Sequence, residues 1–140
     1  MRKNNRSGFT LLEVIIVIII IGVLASLALP RFFSTVEYSR ATEAMQSLAT
    51  VRQSVERCYL MRNSFAAPCN AFANLDVEDP GGVPNAHFTY GFTNTANAYT
   101  ITATRNTRDG GSTANTVWLM FDGAAGTVSR GGTGAFGAVN

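Results

Sequence analysis

Residue types that perform catalysis are scarce in this chain. Its 140 residues include one histidine, His87, one lysine, Lys3, and two cysteines. A Ser–His–Asp constellation would have to be assembled around His87, and no nucleophile motif accompanies it. We therefore expect a protein that is not an enzyme and that carries no cofactor.

Positive charge is also scarce outside the first eight residues. The formal net charge is +2, but Arg2, Lys3 and Arg6 supply three of the eleven basic side chains. Residues 9–140 contain eight arginines against nine acidic side chains. Nucleic-acid-binding proteins usually present a basic patch, so the charge balance does not indicate a nucleic-acid partner.

The apolar residues are concentrated in one run of 21 residues, 9–29. As a helix rising about 1.5 Å per residue, this run is long enough to span a bilayer. It contains a single charged residue, Glu13. A carboxylate in such a segment costs roughly 2.5–3.5 kcal/mol on insertion scales, so its presence indicates a partner of opposite charge.

A short basic leader, MRKNNRSG, precedes the apolar run. Positive charge before a span predicts a cytoplasmic N-terminus. A secretory signal peptide would have a small-residue cleavage site after its apolar core. Residues 25–28 (ASLA) match that pattern only loosely, and Pro30 follows them. The informative small residue is Gly8, which lies before the span.

Residues 8–13, GFTLLE, resemble the class III signal of type IV prepilins and type II secretion pseudopilins. In that family a membrane aspartyl peptidase cuts after the glycine and methylates the new N-terminal residue. The resemblance implies cleavage between Gly8 and Phe9, N-methylation of Phe9, and Glu13 as the fifth residue of the mature chain. It covers about the first 60 residues.

The resemblance also implies an assembly role for Glu13. In a filament, the carboxylate of one subunit would meet the Phe9 amine of a neighbour. Deleting one partner of such a pair in a low-dielectric core typically costs ~3–5 kcal/mol. The alternative is that Glu13 only reaches out to the membrane interface, since it is five residues into the run.

From residue 31 the pattern becomes amphipathic. Apolar side chains recur at three- and four-residue steps, which predicts a helical stripe ending near Arg62: Ala41, Ala44, Met45, Leu48, Val51, Val55, Cys58 and Tyr59. Pro30 removes one backbone hydrogen bond and can kink the helix. By resemblance, Gly22 and Pro30 form a joint used in passing from bilayer to filament. A static kink is the alternative.

The two cysteines, Cys58 and Cys69, are eleven residues apart. In a head exported from the cytoplasm they are expected to form a disulfide. The chain-entropy model gives such a loop roughly 2.5–3 kcal/mol of stabilisation. Free buried thiols are one alternative. A metal site is the other, but it would need ligands beyond His87.

The segment after the helix has little periodicity. Its prolines and glycines predict a loop over residues 63–86. Asp76, Glu78 and Asp79 cluster within it. The cluster is either a solvated acidic surface or a calcium site.

Four strand candidates follow, at residues 87–92, 99–105, 117–122 and 127–130, separated by turn sequences. They predict an antiparallel meander of three or four strands packed on the helical stripe. Trp118, Tyr90 and Phe92 are predicted core residues. The glycine-rich residues 131–140 are predicted to form a flexible tail or a short edge strand. Their G-x-G-x-x-G match has no following helix and is rejected as a dinucleotide site.

These observations predict an α+β fold. The segments are a leader (1–8), a transmembrane or filament-core helix (9–29), its amphipathic half (30–62), a variable loop (63–86), and an antiparallel sheet with a glycine-rich tail (87–140). The apolar half must be buried in lipid or among like helices, and the amphipathic half packs on the sheet.

The resemblance implies a pilin that polymerises into a type IV pilus. The precursor would lie in the bacterial inner membrane, and the assembled fibre outside the cell. Implied partners are copies of the chain, the prepilin peptidase/methyltransferase, and an inner-membrane assembly platform with its ATPase. A periplasmic pseudopilin is the alternative. The tail lacks the acidic ligands of the calcium loop usual in major pseudopilins, which favours the pilus. A tethered module that never polymerises would gain nothing from Glu13.

Overall fold

The computed structural model describes residues 9–139 and has an α+β fold. Helix α1 (Leu11–Arg62) is followed by four strands. These are β1 (Phe88–Asn94), β2 (Tyr99–Arg105), β3 (Thr116–Asp122) and β4 (Thr127–Gly132). The chain divides after Thr35 into two compact units. We call residues 9–35 the N-terminal unit and residues 36–139 the head.

The N-terminal unit is one apolar stretch of α1. It is long and apolar enough to cross a membrane, and none of its most apolar stretch is buried within the chain. Every large apolar side chain from Phe9 to Leu29 is at least 40% exposed. The helix continues through Pro30, although this residue offers no N–H to the preceding turn. This unit therefore has no core of its own.

The head begins with the amphipathic part of α1. Its buried face consists of Ala41, Ala44, Leu48, Val51, Ser54, Val55 and Cys58, and Met45 and Tyr59 pack against the same core. The predicted stripe and the end of the helix at Arg62 are confirmed. Ser54 is an addition, and its hydroxyl is bonded to Asp76.

The four strands form one antiparallel sheet in the order β1-β2-β3-β4, which confirms the predicted meander. Burial alternates along β2, where Tyr99, Ile101, Ala103 and Arg105 face the helix. This alternation is the period of two expected when one sheet face is covered. The second face is not covered by any described part of the head.

An aromatic cluster closes one end of the core. The ring of Phe65 stacks on Tyr59 with centroids 4.2 Å apart. It meets Tyr99 and Phe121 edge-on at 4.8 and 5.4 Å. Phe65 belongs to the loop after the helix, so this loop contributes directly to the core.

The glycine-rich tail packs into the head, and of its two predicted forms the structure has the short edge strand rather than the flexible tail. Gly131 and Gly132 extend β4, as an edge strand would. A 3-10 turn then covers Gly134–Phe136. Phe136 is fully buried, with its ring 6.0 Å from that of Phe88. The buried Phe136 ring and hydrogen bonds from Thr133 to Ala114 and from Ala135 to Asn115 hold a segment whose composition shows neither helical nor strand periodicity.

The prediction that Trp118 is a core residue is also wrong. Val117 and Leu119 face the helix and are buried, so the pleat places Trp118 on the opposite face of the sheet. The apolar run VWLMFD concealed this alternation. Tyr90 and Phe92 do pack against the core, as predicted.

Candidate functional site

The start of α1 is closed by reciprocal hydrogen bonds between Thr10 and Glu13. The Thr10 backbone N–H and hydroxyl each donate to Glu13 Oε2, both at 3.1 Å. The Glu13 backbone N–H donates to Thr10 Oγ1 at 3.3 Å. This is a capping box, in which the cap residue and the third helical residue satisfy each other's free N–H groups.

The capping box gives Glu13 a role that the sequence analysis missed. The motif T-x-x-E was visible at residues 10–13 and would have predicted a helix starting at Leu11. A carboxylate is also favoured at a helix N-terminus by the helix dipole. Glu13 therefore has a local function, before any contact with a second subunit is considered.

The other predicted N-terminal sites are placed as follows. Phe9 is 88% exposed and, with Val14, Val17 and Ile18, lines an open apolar hollow beside Glu13. Gly8 lies outside the described residues. Apart from the nearby backbone of its own helix, a Cβ added at Gly22 would meet no atom of residues 9–139 within 4 Å, so packing among these residues does not require glycine there.

In the head, the loop after the helix is attached to α1 at two points. Cys58 and Cys69 are joined by the predicted disulfide, with Cα atoms 5.8 Å apart. Further along, Asp76 accepts hydrogen bonds from Arg57 at 2.6 and 2.9 Å and contacts the Ser54 hydroxyl. The Arg57 guanidinium and then the Ser54 hydroxyl lower the pKa of Asp76 to about 2.

Two of the three acids in the suspected calcium cluster are hydrogen-bonded within the head. Asp76 is bonded to the helix, and Asp79 Oδ1 accepts a hydrogen bond from the Gly81 backbone N–H at 2.8 Å. Among residues 9–139, no group of three or more histidine, cysteine or acidic side chains is placed to hold a metal ion. The hydrogen bonds of the two aspartates shape the loop.

The head contains a buried charge that the sequence analysis missed. Arg105, at the end of β2, is fully buried. Its guanidinium donates twice to Glu37, both at 3.1 Å, and also to the backbone carbonyls of His87, Asn106 and Arg108. Arg40 contacts the same carboxylate at 2.7 Å. Arg105 continues the alternation of the strand YTITATR, which is a signal that could have placed it on the inward face, but no local pattern identifies its charge partner.

This network favours the ionised form of Glu37. Burial opposes ionisation, but the hydrogen bonds and charges of Arg105 and Arg40 outweigh it and lower the pKa of Glu37 below its usual value. The result is a charge-assisted connection between the first turn of the head helix and the end of β2.

Two protein-family models match this chain. A family model described as "Type IV minor pilin ComP, DNA uptake sequence receptor" matches residues 30–116, which is more than half of the chain. The chain belongs to this type IV pilin family. A second model, the prokaryotic N-terminal methylation motif, matches residues 3–29 of the pilin.

Individual relatives of this pilin come from fimbriae and from a secretion system. It is 36% identical over 58 residues to the type IV major fimbrial protein FimA of Dichelobacter nodosus, covering 41% of the chain and 37% of FimA. It is 41% identical over 86 residues to the fimbrial protein EcpC of Eikenella corrodens, covering 61% and 56%. Identity to the type II secretion system core protein G of Aeromonas hydrophila is 35% over 65 residues, covering 46% of each.

The matched part of the pilin thus spans about half or less of each relative's length. The relatives nevertheless include both classes named by the resemblance at residues 8–13, so that family assignment is confirmed. Pilins and pseudopilins polymerise into filaments of their own kind.

Proposed function

We propose that this chain is the structural subunit of a type IV pilus and polymerises through its N-terminal unit. The observation that carries the proposal is the exposure of every large apolar side chain from Phe9 to Leu29. Burying such side chains contributes ~1.5–3 kcal/mol each. In the precursor the lipid bilayer covers them, and in the filament the same segments of neighbouring copies do.

Processing precedes assembly in this proposal. The precursor lies in the inner membrane with its basic leader in the cytoplasm. The prepilin peptidase/methyltransferase removes residues 1–8 by cutting between Gly8 and Phe9, and methylates Phe9. An assembly platform and its ATPase then lift the subunit out of the bilayer. The match of residues 3–29 to the methylation motif supports this sequence of steps.

The geometry at Glu13 supports the proposal that one carboxylate serves both capping and assembly. Both hydrogen bonds from Thr10 go to Oε2. Oε1 can therefore accept the Phe9 amine of a neighbouring subunit while the cap remains intact. The capping box holds the carboxylate in place, and the intersubunit ion pair then sets the register between helices.

Two conservative variants separate the charge of Glu13 from its capping role. Glu13→Gln keeps a side chain that can complete a capping box but removes the charge. Thr10→Val removes the cap hydroxyl but keeps the charge. We expect Glu13→Gln to abolish surface filaments and Thr10→Val to leave them near wild-type yield, measured by shearing and quantitative immunoblotting. The reverse pattern would show that capping is the essential role.

The alternative function is a type II secretion pseudopilin, which the relative from Aeromonas hydrophila favours. Mass spectrometry of filaments sheared from the source cells distinguishes the two. A dominant sheared subunit that begins at N-methyl-Phe9 and contains a Cys58–Cys69 disulfide supports the pilus. Processed chain found only in the cell envelope supports the pseudopilus. Unprocessed chain in cells with an active prepilin peptidase would contradict both.

A second candidate function is binding of DNA by the assembled fibre. It is favoured by the description of the matching family, which names a DNA uptake sequence receptor. In the head, Arg40, Arg52, Arg57 and Arg105 each form an ion pair with an acid. The candidate DNA contacts in the head are therefore Arg62, Arg108 and Arg130. Replacing all three with glutamine should abolish a salt-sensitive gel shift of duplex DNA, and unchanged binding would exclude them.

A further inference from the structure

The uncovered face of the sheet has an unusual composition. In the register of the four strands, β2 presents Thr100 and Thr102 on this face, and β3 presents Trp118 and Met120 beside them. On the other side of β3, the same rows continue with Gly131 and Ser129 of β4. An apolar line along β3 is thus flanked on both sides by residues that are small or carry hydroxyls.

Trp118 lies flat on this face. A Cβ atom at Gly131 would be 2.5 Å from Cζ2 and 2.9 Å from Cε2 of Trp118. The six-membered ring of the indole therefore rests on the β4 backbone, at a position where only glycine fits. In the same row, β1 contributes Gly91, where an added Cβ would meet no atom within 4 Å. The face around the indole is level and open.

The charge on this face argues against an ionic ligand. The pleat places Arg130 on the helix side of the sheet, opposite Leu119, and Arg105 is buried in the core. Of the outward positions in the four strands, the one charged side chain is Asp122, at the end of β3. A nucleic acid needs cations along its backbone as well as an aromatic ring for stacking, and this face supplies only the ring.

A neutral sugar polymer fits these properties. One face of a β-linked pyranose is lined by C–H bonds and stacks on an aromatic ring, while its equatorial hydroxyls point sideways. Neighbouring strands lie ~4.8 Å apart. Ser129 of β4 therefore lies beside the stacked ring, and Thr100 and Thr102 of β2 lie about two strand spacings away, where the next sugar of the polymer would pass. Tryptophan, which combines a large apolar ring with a polar N–H group, is enriched in binding surfaces.

We propose that the outer face of the sheet binds a neutral β-linked polysaccharide. The Trp118 indole stacks on one sugar ring and the Ser129 hydroxyl bonds to the edge of that ring, while the hydroxyls of Thr100 and Thr102 bond to the adjacent sugar. The site belongs to the head alone and does not depend on the filament function proposed above.

Trp118 is the only tryptophan of the chain, so its fluorescence reports binding directly. The full-length protein in detergent is titrated with cellohexaose and, separately, with chitohexaose. We expect a saturable change in emission with at least one of them. Thr102→Val should weaken binding roughly three- to tenfold, the range for one hydrogen bond. Thr50→Val, a matched change on the exposed surface of α1, should leave it unchanged.

Cosedimentation with microcrystalline cellulose and chitin provides the second measurement. Trp118→Ala should reduce retention roughly tenfold or more, whereas Tyr38→Ala, which removes an exposed aromatic residue of the helix, should not. An unchanged melting curve for Trp118→Ala excludes unfolding as the cause. A fluorescence response to neither oligosaccharide, or equal retention of Trp118→Ala, would overturn the proposal.

Two further results would also overturn it. If the wild-type protein self-associates and Trp118→Ala abolishes this, the face is an interface between copies. If duplex DNA displaces the oligosaccharide, the face is part of a nucleic-acid site.

Discussion

Helix α1 belongs to two regions, and its apolar side chains are covered in a different way in each of them. In the head, its apolar side chains form one stripe, and this stripe is buried against a sheet from the same chain. In the N-terminal unit, apolar side chains surround the helix and none of the stretch is buried. A helix that is apolar all round must be covered by its surroundings. The head is therefore complete within one chain, and the N-terminal unit is complete only in lipid or in an assembly.

The acidic residues of the two regions show the same difference. Glu37 in the head has two cationic partners in its own chain, Arg105 and Arg40. Glu13 in the N-terminal unit is hydrogen-bonded, within residues 9–139, to the uncharged Thr10. A carboxylate in an apolar segment is stabilised by a cation, and for Glu13 we propose that a neighbouring copy supplies it.

The largest effect on the stability of the head is expected from truncating the Phe136 side chain. Phe136→Ala should destabilise the head by about 3–5 kcal/mol, because it leaves a cavity under the sheet. The matched change in the other region, Leu12→Ala, should leave head stability unchanged because Leu12 is 69% exposed. Thermal unfolding followed by near-ultraviolet circular dichroism measures both. Equal destabilisation by the two variants would contradict the separation of the regions.

Phe136 also shows where prediction from sequence ends. The stripe on α1 and the four strands were predictable because their apolar residues repeat at the period of a helix or a strand. The insertion of Phe136 and the pairing of Arg105 with Glu37 depend on residues far apart in sequence, and no local pattern encodes them. The prediction that Trp118 is a core residue was wrong for a different reason, since a continuous apolar run does not show which residue faces outward.

The disulfide provides the next largest effect. Cys58→Ser with Cys69→Ser should cost the head about 2.5–3 kcal/mol by the chain-entropy model. The loop should become sensitive to protease between the two positions, because Asp76 then remains as its ionic attachment to the helix. Limited proteolysis with mass spectrometry tests this. Protease resistance equal to that of the wild type would mean that the packing of Phe65 and the Asp76–Arg57 ion pair hold the loop without the disulfide.

The Glu37 network should make head stability depend on pH. The pKa of Glu37 is lowered in the folded head, so its contribution is complete above the ordinary carboxylate value of 4.5. This contribution is lost as the pH falls through the folded-state pKa. Glu37→Gln should cost about 1–3 kcal/mol at neutral pH and less in acid. Denaturant melts at several pH values measure the difference.

The control for this pH dependence is Glu43→Gln on the exposed surface of the same helix. Its melting curves should follow the wild type at every pH. A loss of stability in Glu37→Gln that is the same at pH 7 and in acid would show that shape, rather than charge, is what Arg105 requires from its partner.

The smallest effect on stability is expected from a substitution at Gly22. This substitution tests whether the predicted joint needs Gly22 or only Pro30. Gly22→Ala adds up to about 1 kcal/mol of helix propensity, and no described side chain obstructs the added methyl group. Head stability should not change. If Gly22 serves as a joint during assembly, the variant should be processed normally but yield fewer filaments. Ala25→Gly, the opposite change three residues away, should not reduce filament yield. Normal yield from Gly22→Ala would instead assign the bend to Pro30 alone, because the helix would then need no second flexible residue to leave the bilayer.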